Sequence, residues 1–159
     1  MSRIELLILD VDGVLTNGQI YYGSNGFELK AFDVQDGYAL KMLHNIVQVA
    51  IISGRNSEIT TRRASELNID YVFQGEGEKE IALNKLIEIT GINRNHIAHV
   101  GDDIPDLAVF EEVGISFAPA NANPVLLKKA DFVTNNTGGN GAVREICELL
   151  LTAKNLWKF

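Results

Sequence analysis

Runs of apolar residues alternate with stretches of helical periodicity along the whole chain. The apolar runs of strand length are IELLILD, VQVAIIS, DYVF, HIAHVG and ISFA, at residues 4–10, 47–53, 70–73, 96–101 and 115–118. Between them, apolar residues recur every three or four positions in DGYALKMLHN, SEITTRRASELN, KEIALNKLIEIT and PDLAVFEEV, as on one face of a helix. This alternation predicts an α/β fold: a doubly wound, mostly parallel, Rossmann-like sheet with helices on both faces.

One segment interrupts the alternation. Residues 18–32, GQIYYGSNGFELKAF, contain two extended pieces around GSNG, which predicts a small β-hairpin flap inserted after the first strand. The C-terminal segment DFVTNNTGGNGAVREICELLLTAKNLWKF predicts a last short strand, a glycine-rich loop and a terminal helix. A chain of 159 residues has no room for a second domain, so we expect one domain over residues 1–159, without a cap domain.

Composition limits the class of protein. Hydrophobic residues make up 46% and charged residues 22%, as in a globular chain with a core, and the net charge of −7 disfavours nucleic acid or an acidic membrane as partner. The single cysteine, Cys147, has the spacing of a helix core position, which favours a buried hydrophobe in a reducing compartment. No apolar run has the length of a membrane span or the form of a signal peptide, so we expect a cytoplasmic protein.

Polar residues collect where the predicted strands end. In chain order they are Asp10, Asp12, Ser53, Gly54, Lys79, Asp102, Asp103 and Asp106. In an open parallel sheet, ligands bind at the carboxyl ends of the strands. If the extended backbone continues to position 12, Asp10 and Asp12 lie on the same side of the chain, because side-chain direction repeats every two residues. The sequence therefore predicts one polar site at this edge of the sheet.

The residue types at this edge favour phosphoryl chemistry. Carboxylates this close repel one another unless a cation lies among them, and hard oxygen ligands suit Mg²⁺. Lys79, Ser53 and the first N–H groups of the helix after Gly54 can hold an anion such as a phosphoryl group. A carboxylate can act as the in-line nucleophile in phosphoryl transfer, and Asp10 is the candidate.

Four motifs carry a resemblance to a known family. DVDGVLT (10–16), the serine of ISGR, Lys79 and GDDIPD (101–106) match in order and spacing the four motifs of haloacid dehalogenase superfamily phosphatases. GVLTNG, FELKAFDVQDGYALKML and TGGNGAVREICELLL further resemble a capless branch, the 3-deoxy-D-manno-octulosonate 8-phosphate phosphatases. That family hydrolyses a phosphorylated eight-carbon keto sugar acid in lipopolysaccharide synthesis. The resemblance covers the whole chain.

The resemblance implies a role for each acid. Asp10 would attack phosphorus and carry an aspartyl-phosphate, while Asp12 would protonate the leaving sugar oxygen and then act as base on water. Mg²⁺ would be held by Asp10, the backbone carbonyl of Asp12 and Asp102. Asp103 and Asp106 would lie behind these ligands or on metal-bound waters.

The resemblance also implies the residues that bind substrate. Ser53, Gly54 and Lys79 would bind the phosphate, and Lys79 would hold Asp10 in place. Arg55 and Arg63 would serve the sugar acid. A sister family, specific for 2-keto-3-deoxynononate 9-phosphate, tends to have glutamate at the position of Arg55, which favours the octulosonate substrate here.

Several alternatives stay open at this point. Many octulosonate phosphatases have arginine at the position of Gln35, and some have arginine at that of Asn140, so the nine-carbon acid phosphate remains an alternative substrate. A receiver-like signalling module uses similar residues, but its phospho-acceptor ends the third strand, where DYVFQG offers none. A catalytically silent homologue would have lost one of the acids or Lys79, and all are present.

Other residues have more than one interpretation. The family forms homotetramers, and Tyr21, Tyr22 and Phe27 are either an inter-subunit surface or a core for the hairpin. Asp36 and Asp106 are equally consistent with helix caps. The three histidines are not spaced as a metal cluster, and we expect structural or surface roles for them. They are His44, His96 and His99.

Overall fold

The computed structural model describes residues 1–159. The strands are β1 (Leu6–Leu9), β2 (Tyr21–Tyr22), β3 (Glu28–Leu29), β4 (Gln48–Ser53), β5 (Tyr71–Gln74), β6 (Ile97–Val100), β7 (Ile115–Ala118) and β8 (Phe132–Val133). The helices are α1 (Val34–Leu43), α2 (Glu58–Glu66), α3 (Lys79–Thr90), α4 (Leu107–Phe110), α5 (Pro124–Lys129) and α6 (Ala142–Ala153). Two short 3₁₀ turns cover Arg94–His96 and Ile104–Asp106.

Six strands form one parallel sheet in the order β5-β4-β1-β6-β7-β8. The chain moves from β1 to β4 and β5 on one side, and then crosses to β6, β7 and β8 on the other. β1 therefore lies at the point where the strand order reverses, which is where open α/β sheets bind ligands. The predicted fold class is confirmed, and every strand of this sheet is parallel.

Strand β1 has apolar side chains on both faces of the sheet. Leu7 and Leu9 pack in the larger core with residues of α1, α2 and α6, whereas Leu6 and Ile8 pack in a second core with α3 and α4. This is the alternation expected of a strand covered by helices on both sides. Asp10 follows directly, so its position is fixed by a strand that packs on both faces.

The hairpin forms where the alternation was interrupted. β2 and β3 pair in antiparallel fashion, with Tyr21 opposite Leu29 and Tyr22 opposite Glu28. One predicted helix is shorter than expected, and one helix was not predicted. The helix expected over 105–113 is a 3₁₀ turn followed by the single helical turn of α4, and α5 was not predicted at all. None of the helices has the length and apolar character needed to cross a membrane.

The glycine-rich loop, residues 137–141, packs directly on the loop that follows Asp10. The backbone N–H of Gly139 donates to the carbonyl of Val14 at 3.0 Å, and a Cβ at Gly138 would overlap the carbonyl of Gly13. Behind this loop, the buried Asp36 carboxylate accepts the backbone N–H of Arg144 at 2.7 Å, in the first turn of α6. Asp36 therefore caps α6 rather than its own helix, whose N-cap is Asp33.

Asp36 makes stability depend on pH. Burial, followed by the charge of Asp33, raises the pKa of Asp36 to about 6 from 3.8. The folded protein therefore binds the extra proton more tightly than the unfolded chain, so stability falls as pH rises from about 4 to about 6. Asp36→Asn lacks this ionisation. We therefore expect the free energy of unfolding of the variant, minus that of wild type, to be about 2 to 3 kcal/mol larger at pH 7 than at pH 4. Urea unfolding at both pH values measures this, and parallel profiles would contradict it.

Candidate active site

A polar cavity of about 340 Å³ opens at the carboxyl ends of the central strands, and no hydrophobic residue lines it. Its lining residues are Asp10, Asp12, Gly18, Ser53, Gly54, Arg55, Glu76, Gly77, Lys79, Asp102, Asp103, Pro105 and Asp106. All eight residues predicted from the strand ends are among them. The structure thus brings these residues, from distant parts of the chain, into one site.

Lys79 lies between two buried carboxylates. Its Nζ is 2.8 Å from Asp10 Oδ2 and 2.6 Å from Asp106 Oδ1, and only 4% of its side chain is exposed. The other oxygen of Asp10 accepts the backbone N–H of Val11 at 2.6 Å. Lys79 is the first residue of α3, so the start of that helix sets the position of the ammonium. These contacts fix the Asp10 carboxylate at the floor of the cavity.

The hydrogen-bonding capacity of Asp106 is taken up within the protein. Oδ1 accepts from Lys79 at 2.6 Å and contacts His99 Nε2 at 2.9 Å, while Oδ2 accepts the backbone N–H groups of Asp102 and Asp103 at 3.1 and 3.3 Å. Burial alone would raise the pKa of Asp106, but the hydrogen bonds from His99 and Lys79 and the ammonium charge of Lys79 outweigh burial and lower this pKa. Asp106 is an ionised carboxylate that organises its neighbours.

The remaining carboxylates can hold a divalent cation. Carboxylate oxygens of Asp10, Asp102 and Asp106 lie within 4.8 Å of one another. Because Asp106 is already satisfied, Asp10 and Asp102 are the side chains with room for a metal bond. Burial and the charges of Asp10 and Asp106 raise the pKa of Asp102 to about 7. The positive charge near Asp102 is therefore too small to offset burial and the neighbouring carboxylates. Hard oxygen ligands in this number fit Mg²⁺.

A glycine makes the close approach of Asp102 possible. Gly13 has a φ of +89°, and a Cβ at this position would overlap the Asp102 carboxylate. The turn after Asp12 thus requires glycine at position 13 for two reasons: its backbone is left-handed, and the Asp102 carboxylate occupies the space of a side chain. The Asp103 carboxylate lies farther out, where it accepts from the side-chain amide of Asn123 at 2.9 Å.

Magnesium binding should weaken in acid. Because the pKa of Asp102 in the metal-free protein is about 7, a proton must leave before the carboxylate binds a cation at lower pH. We expect the Mg²⁺ affinity to fall about tenfold for each pH unit below about 7. Calorimetric Mg²⁺ titration at pH 5.5, 6.5 and 7.5 would measure it, with Asp102→Asn as the control that lacks this proton. An affinity that is constant over the range would contradict the assignment.

The lining of the cavity also offers donors for an anion. Ser53 ends β4 with its side chain buried, and its Oγ accepts the backbone N–H of Arg55 at 3.4 Å. The helix predicted over residues 57–68 begins at Glu58, and the N–H of its N-cap, Ser57, donates to the side chain of Gln74. The Ser53 hydroxyl and Lys79 therefore offer donors to an anion in the cavity, whereas the N-terminus of α2 is not part of its lining.

The two arginines predicted to contact substrate lie in different places. Arg55 lines the cavity, with Nε 3.8 Å from Asp12 and Nη2 2.9 Å from the hydroxyl of Tyr22. Arg63 lies outside the cavity, where it donates to the backbone carbonyl of Asp33 at 3.0 Å and lies over the ring of Phe32. The structure brings Arg55, but not Arg63, to the site of its own chain.

Lys30, which comes from the hairpin, is a site residue that was not predicted from the sequence. Its ammonium is 2.7 and 2.8 Å from the two oxygens of Asp12, and its side chain is fully enclosed. Glu28, two residues earlier on the same face of the hairpin, contacts Arg55 at 3.4 Å and accepts from Ser57 Oγ at 3.0 Å. The sequence contained a usable signal: Glu28 and Lys30 flank Leu29, and residues two apart in an extended segment lie on the same face.

Comparison with known proteins gives a consistent picture. A profile of the haloacid dehalogenase-like hydrolases matches residues 44–146. The 3-deoxy-D-manno-octulosonate 8-phosphate phosphatase of Escherichia coli K12 is 50% identical over 154 residues, which are 96% of this chain and 82% of that protein.

Solved structures agree with the sequence comparison. The phosphatase of the same name from Yersinia pestis superposes with a TM-score of 0.96 at 44% identity, over 98% of this chain and 85% of that one. The Moraxella catarrhalis phosphatase, solved in complex with magnesium, phosphate and the octulosonate KDO, has a TM-score of 0.95 at 45% identity, over 98% and 90% of the two chains.

Proposed function

The chain belongs to the haloacid dehalogenase-like hydrolases, and from this premise we propose that it is a Mg²⁺-dependent phosphatase of 3-deoxy-D-manno-octulosonate 8-phosphate. The observation that carries the proposal is the contact of Lys79 with Asp10 at 2.8 Å, in a cavity that no hydrophobic residue lines. A buried carboxylate held by an ammonium, with Asp102 and the Ser53 hydroxyl beside it, suits attack on a phosphoryl group.

In the first step Asp10 attacks phosphorus. The bond from phosphorus to the sugar oxygen breaks, and Asp12 gives its proton to that oxygen. Lys79 and Ser53 hold the phosphoryl oxygens, and Lys79 also orients Asp10. Mg²⁺, held by Asp10, Asp102 and the backbone carbonyl of Asp12, would neutralise negative charge on the phosphoryl oxygens.

In the second step Asp12, now a carboxylate, takes a proton from water whose oxygen attacks phosphorus. The Asp10 carboxylate is released together with inorganic phosphate. Lys30 contacts both oxygens of Asp12 and compensates its charge, so the hairpin is tied to the residue that moves the protons. Tyr22 and Glu28 of the hairpin also contact Arg55, which lines the cavity, so the hairpin lies beside the cavity and would limit the access of bulk water to the aspartyl-phosphate.

The choice of sugar acid rests on the relatives and on Arg55. Several relatives at 44 to 50% identity are octulosonate 8-phosphate phosphatases, and one was solved with the octulosonate and phosphate bound. Arg55 is a half-exposed guanidinium at the mouth of the cavity, in reach of a carboxylate on the leaving sugar. The site favours hydrolysis over the signalling alternative, since the carboxylate that faces Lys79 ends the first strand.

The assembly and location belong to the same proposal. We infer one phosphatase domain over residues 1–159, with the hairpin inserted at about 18–32, that forms a homotetramer in the cytoplasm. The hairpin exposes Tyr21, Tyr22 and Phe27, each more than half exposed, which supports an inter-subunit surface better than a hairpin core.

Phosphate release from a substrate panel tests the proposed function. The panel contains 3-deoxy-D-manno-octulosonate 8-phosphate, 2-keto-3-deoxynononate 9-phosphate and common sugar phosphates, each with and without Mg²⁺. We expect kcat/KM for the first compound to exceed the others by roughly tenfold or more, and only with Mg²⁺. Preference for the nine-carbon compound would overturn the substrate assignment, and Mg²⁺-dependent release from none would overturn the enzyme.

Arg55 offers a sharper test of the sugar-acid contact. We expect Arg55→Ala to raise KM for the octulosonate phosphate by about ten- to a hundredfold, since a charge-assisted contact to the carboxylate is lost. With p-nitrophenyl phosphate, which has no carboxylate, the change should be small. Arg62→Ala is the matched control, because Arg62 is 83% exposed on α2 and contacts only Glu66. Equal loss on both substrates would contradict the contact.

A further inference from the structure

His99 is buried in the middle of β6, a strand whose residues are all buried. Resting on the proposed function, we propose that His99 is a positioning residue for the phosphatase reaction: a neutral imidazole that donates from Nε2 to Asp106 and so fixes Lys79 against Asp10. From the sequence, a structural or surface role was expected for this histidine, and it is not among the residues that line the cavity.

A continuous series of short contacts links His99 to the proposed nucleophile. His99 Nε2 is 2.9 Å from Asp106 Oδ1, and Lys79 Nζ is 2.6 Å from the same oxygen and 2.8 Å from Asp10 Oδ2. The side chains of His99 and Asp106 are 0% and 1% exposed, so no bulk water competes for these contacts. Two donors therefore converge on one carboxylate oxygen, and the direction in which Asp106 presents it to Lys79 depends on both.

The second ring nitrogen determines the tautomer. His99 Nδ1 is buried and has no hydrogen-bond partner, and the ring packs edge-on against Phe110 with centroids 5.6 Å apart. If Nδ1 carried a proton, it would be a buried N–H donor without an acceptor. This costs more free energy than a buried, unprotonated nitrogen that lacks a donor. The proton therefore resides on Nε2, where Asp106 accepts it, and the ring is neutral.

A neutral donor is what this position requires. Asp106 already has the ammonium of Lys79, and a second cation beside it would compete with Lys79 for the same oxygen. A neutral Nε2–H instead orients the carboxylate and leaves its charge to Lys79. If His99 were only a core residue, an apolar side chain would fill the space between α4 and β6 without leaving a buried nitrogen unpaired.

The test compares two variants of His99. His99→Gln can place an amide N–H near the Nε2 position, whereas His99→Phe keeps a ring of similar size and removes the donor. We expect His99→Phe to lower kcat with the octulosonate phosphate about tenfold or more, with KM changed much less, and His99→Gln to restore most of the loss. Phe110→Leu is the packing control, since it disturbs the ring contact but keeps the hydrogen bond, and kcat should stay unchanged.

A spectroscopic measurement on the wild-type protein does not depend on how the variants fold. In ¹⁵N NMR at neutral pH, His99 should show the pattern of the neutral Nε2–H tautomer. An imidazolium or Nδ1–H pattern would overturn the proposal, as would equal kcat in His99→Phe and wild type, or a His99→Gln variant as slow as His99→Phe. Absence of turnover in the wild type would instead overturn the proposed function, and the positioning role with it.

Discussion

Replacing Asp10 with asparagine is expected to lower phosphate release from the octulosonate phosphate by about 10⁴-fold or more. The amide keeps the size of the carboxylate, but it is neither a nucleophile nor a charged metal ligand. Release should be followed at saturating Mg²⁺ over hours, so that a residual rate is measurable.

The same variant should remain folded, which separates loss of chemistry from loss of structure. Burial, partly offset by Lys79, raises the pKa of Asp10 above its ordinary value. The charged carboxylate therefore destabilises the metal-free fold relative to a neutral side chain. We therefore expect the urea midpoint of Asp10→Asn without Mg²⁺ to match or exceed that of wild type. Activity within tenfold of wild type would exclude Asp10 as the nucleophile.

Replacing Lys79 with methionine is expected to reduce both stability and activity. Without the ammonium, Asp10 and Asp106 are left as buried carboxylates with no cation between them. Loss of one partner from a buried ionic cluster typically costs about 3 to 5 kcal/mol. Loss of a preorganised charge at a phosphoryl group should lower kcat by about 10²- to 10³-fold.

Lys85→Met is the matched control for Lys79→Met. Lys85 lies on the same helix, is half-exposed and contacts Glu76 at 3.4 Å, so its loss should change the free energy of unfolding by less than about 1 kcal/mol. Urea unfolding without Mg²⁺ and steady-state kinetics with Mg²⁺ measure the two effects. A Lys79→Met variant that is as stable and as active as Lys85→Met would contradict the role given to Lys79.

The sheet and the main site residues could be predicted because they follow from local pattern and one general rule. Apolar runs mark the strands, and parallel strands present their carboxyl ends at a single edge, so residues such as Asp10, Ser53 and Asp102 had to meet. The order of the strands did not need to be known for this. Asp10 and Asp12 both line the cavity, although β1 ends at Leu9 and neither residue lies within the strand.

The contacts of the hairpin could not be predicted in the same way. Local sequence indicates that residues 18–32 form a hairpin, but the angle at which it leaves the sheet depends on packing with the loops it covers. Lys30 reaches Asp12, and Glu28 reaches Arg55, only because of that angle. Arg63 shows the same limit, since its place on α2 was predictable and the direction of its side chain was not.

The remaining errors have separate physical causes. α5 has six residues, too few for a helical period to stand out from its surroundings. Asp36 has the sequence position of a cap for its own helix, yet it caps α6, more than a hundred residues later, because α1 and α6 pack side by side. His99 lies inside an apolar strand, and only the folded structure shows that the Asp106 carboxylate contacts its ring.

The most direct measurement of the central claim is capture of the phosphorylated protein. Substrate carrying a radiolabelled phosphate would be mixed with enzyme and Mg²⁺, quenched with acid within milliseconds and reduced with borohydride, which converts an aspartyl-phosphate to homoserine. We predict label on the wild-type protein and homoserine at position 10 by peptide mass spectrometry, with neither in Asp10→Asn. Turnover without a labelled protein, or modification at any other residue, would contradict the claim that Asp10 carries the phosphoryl group.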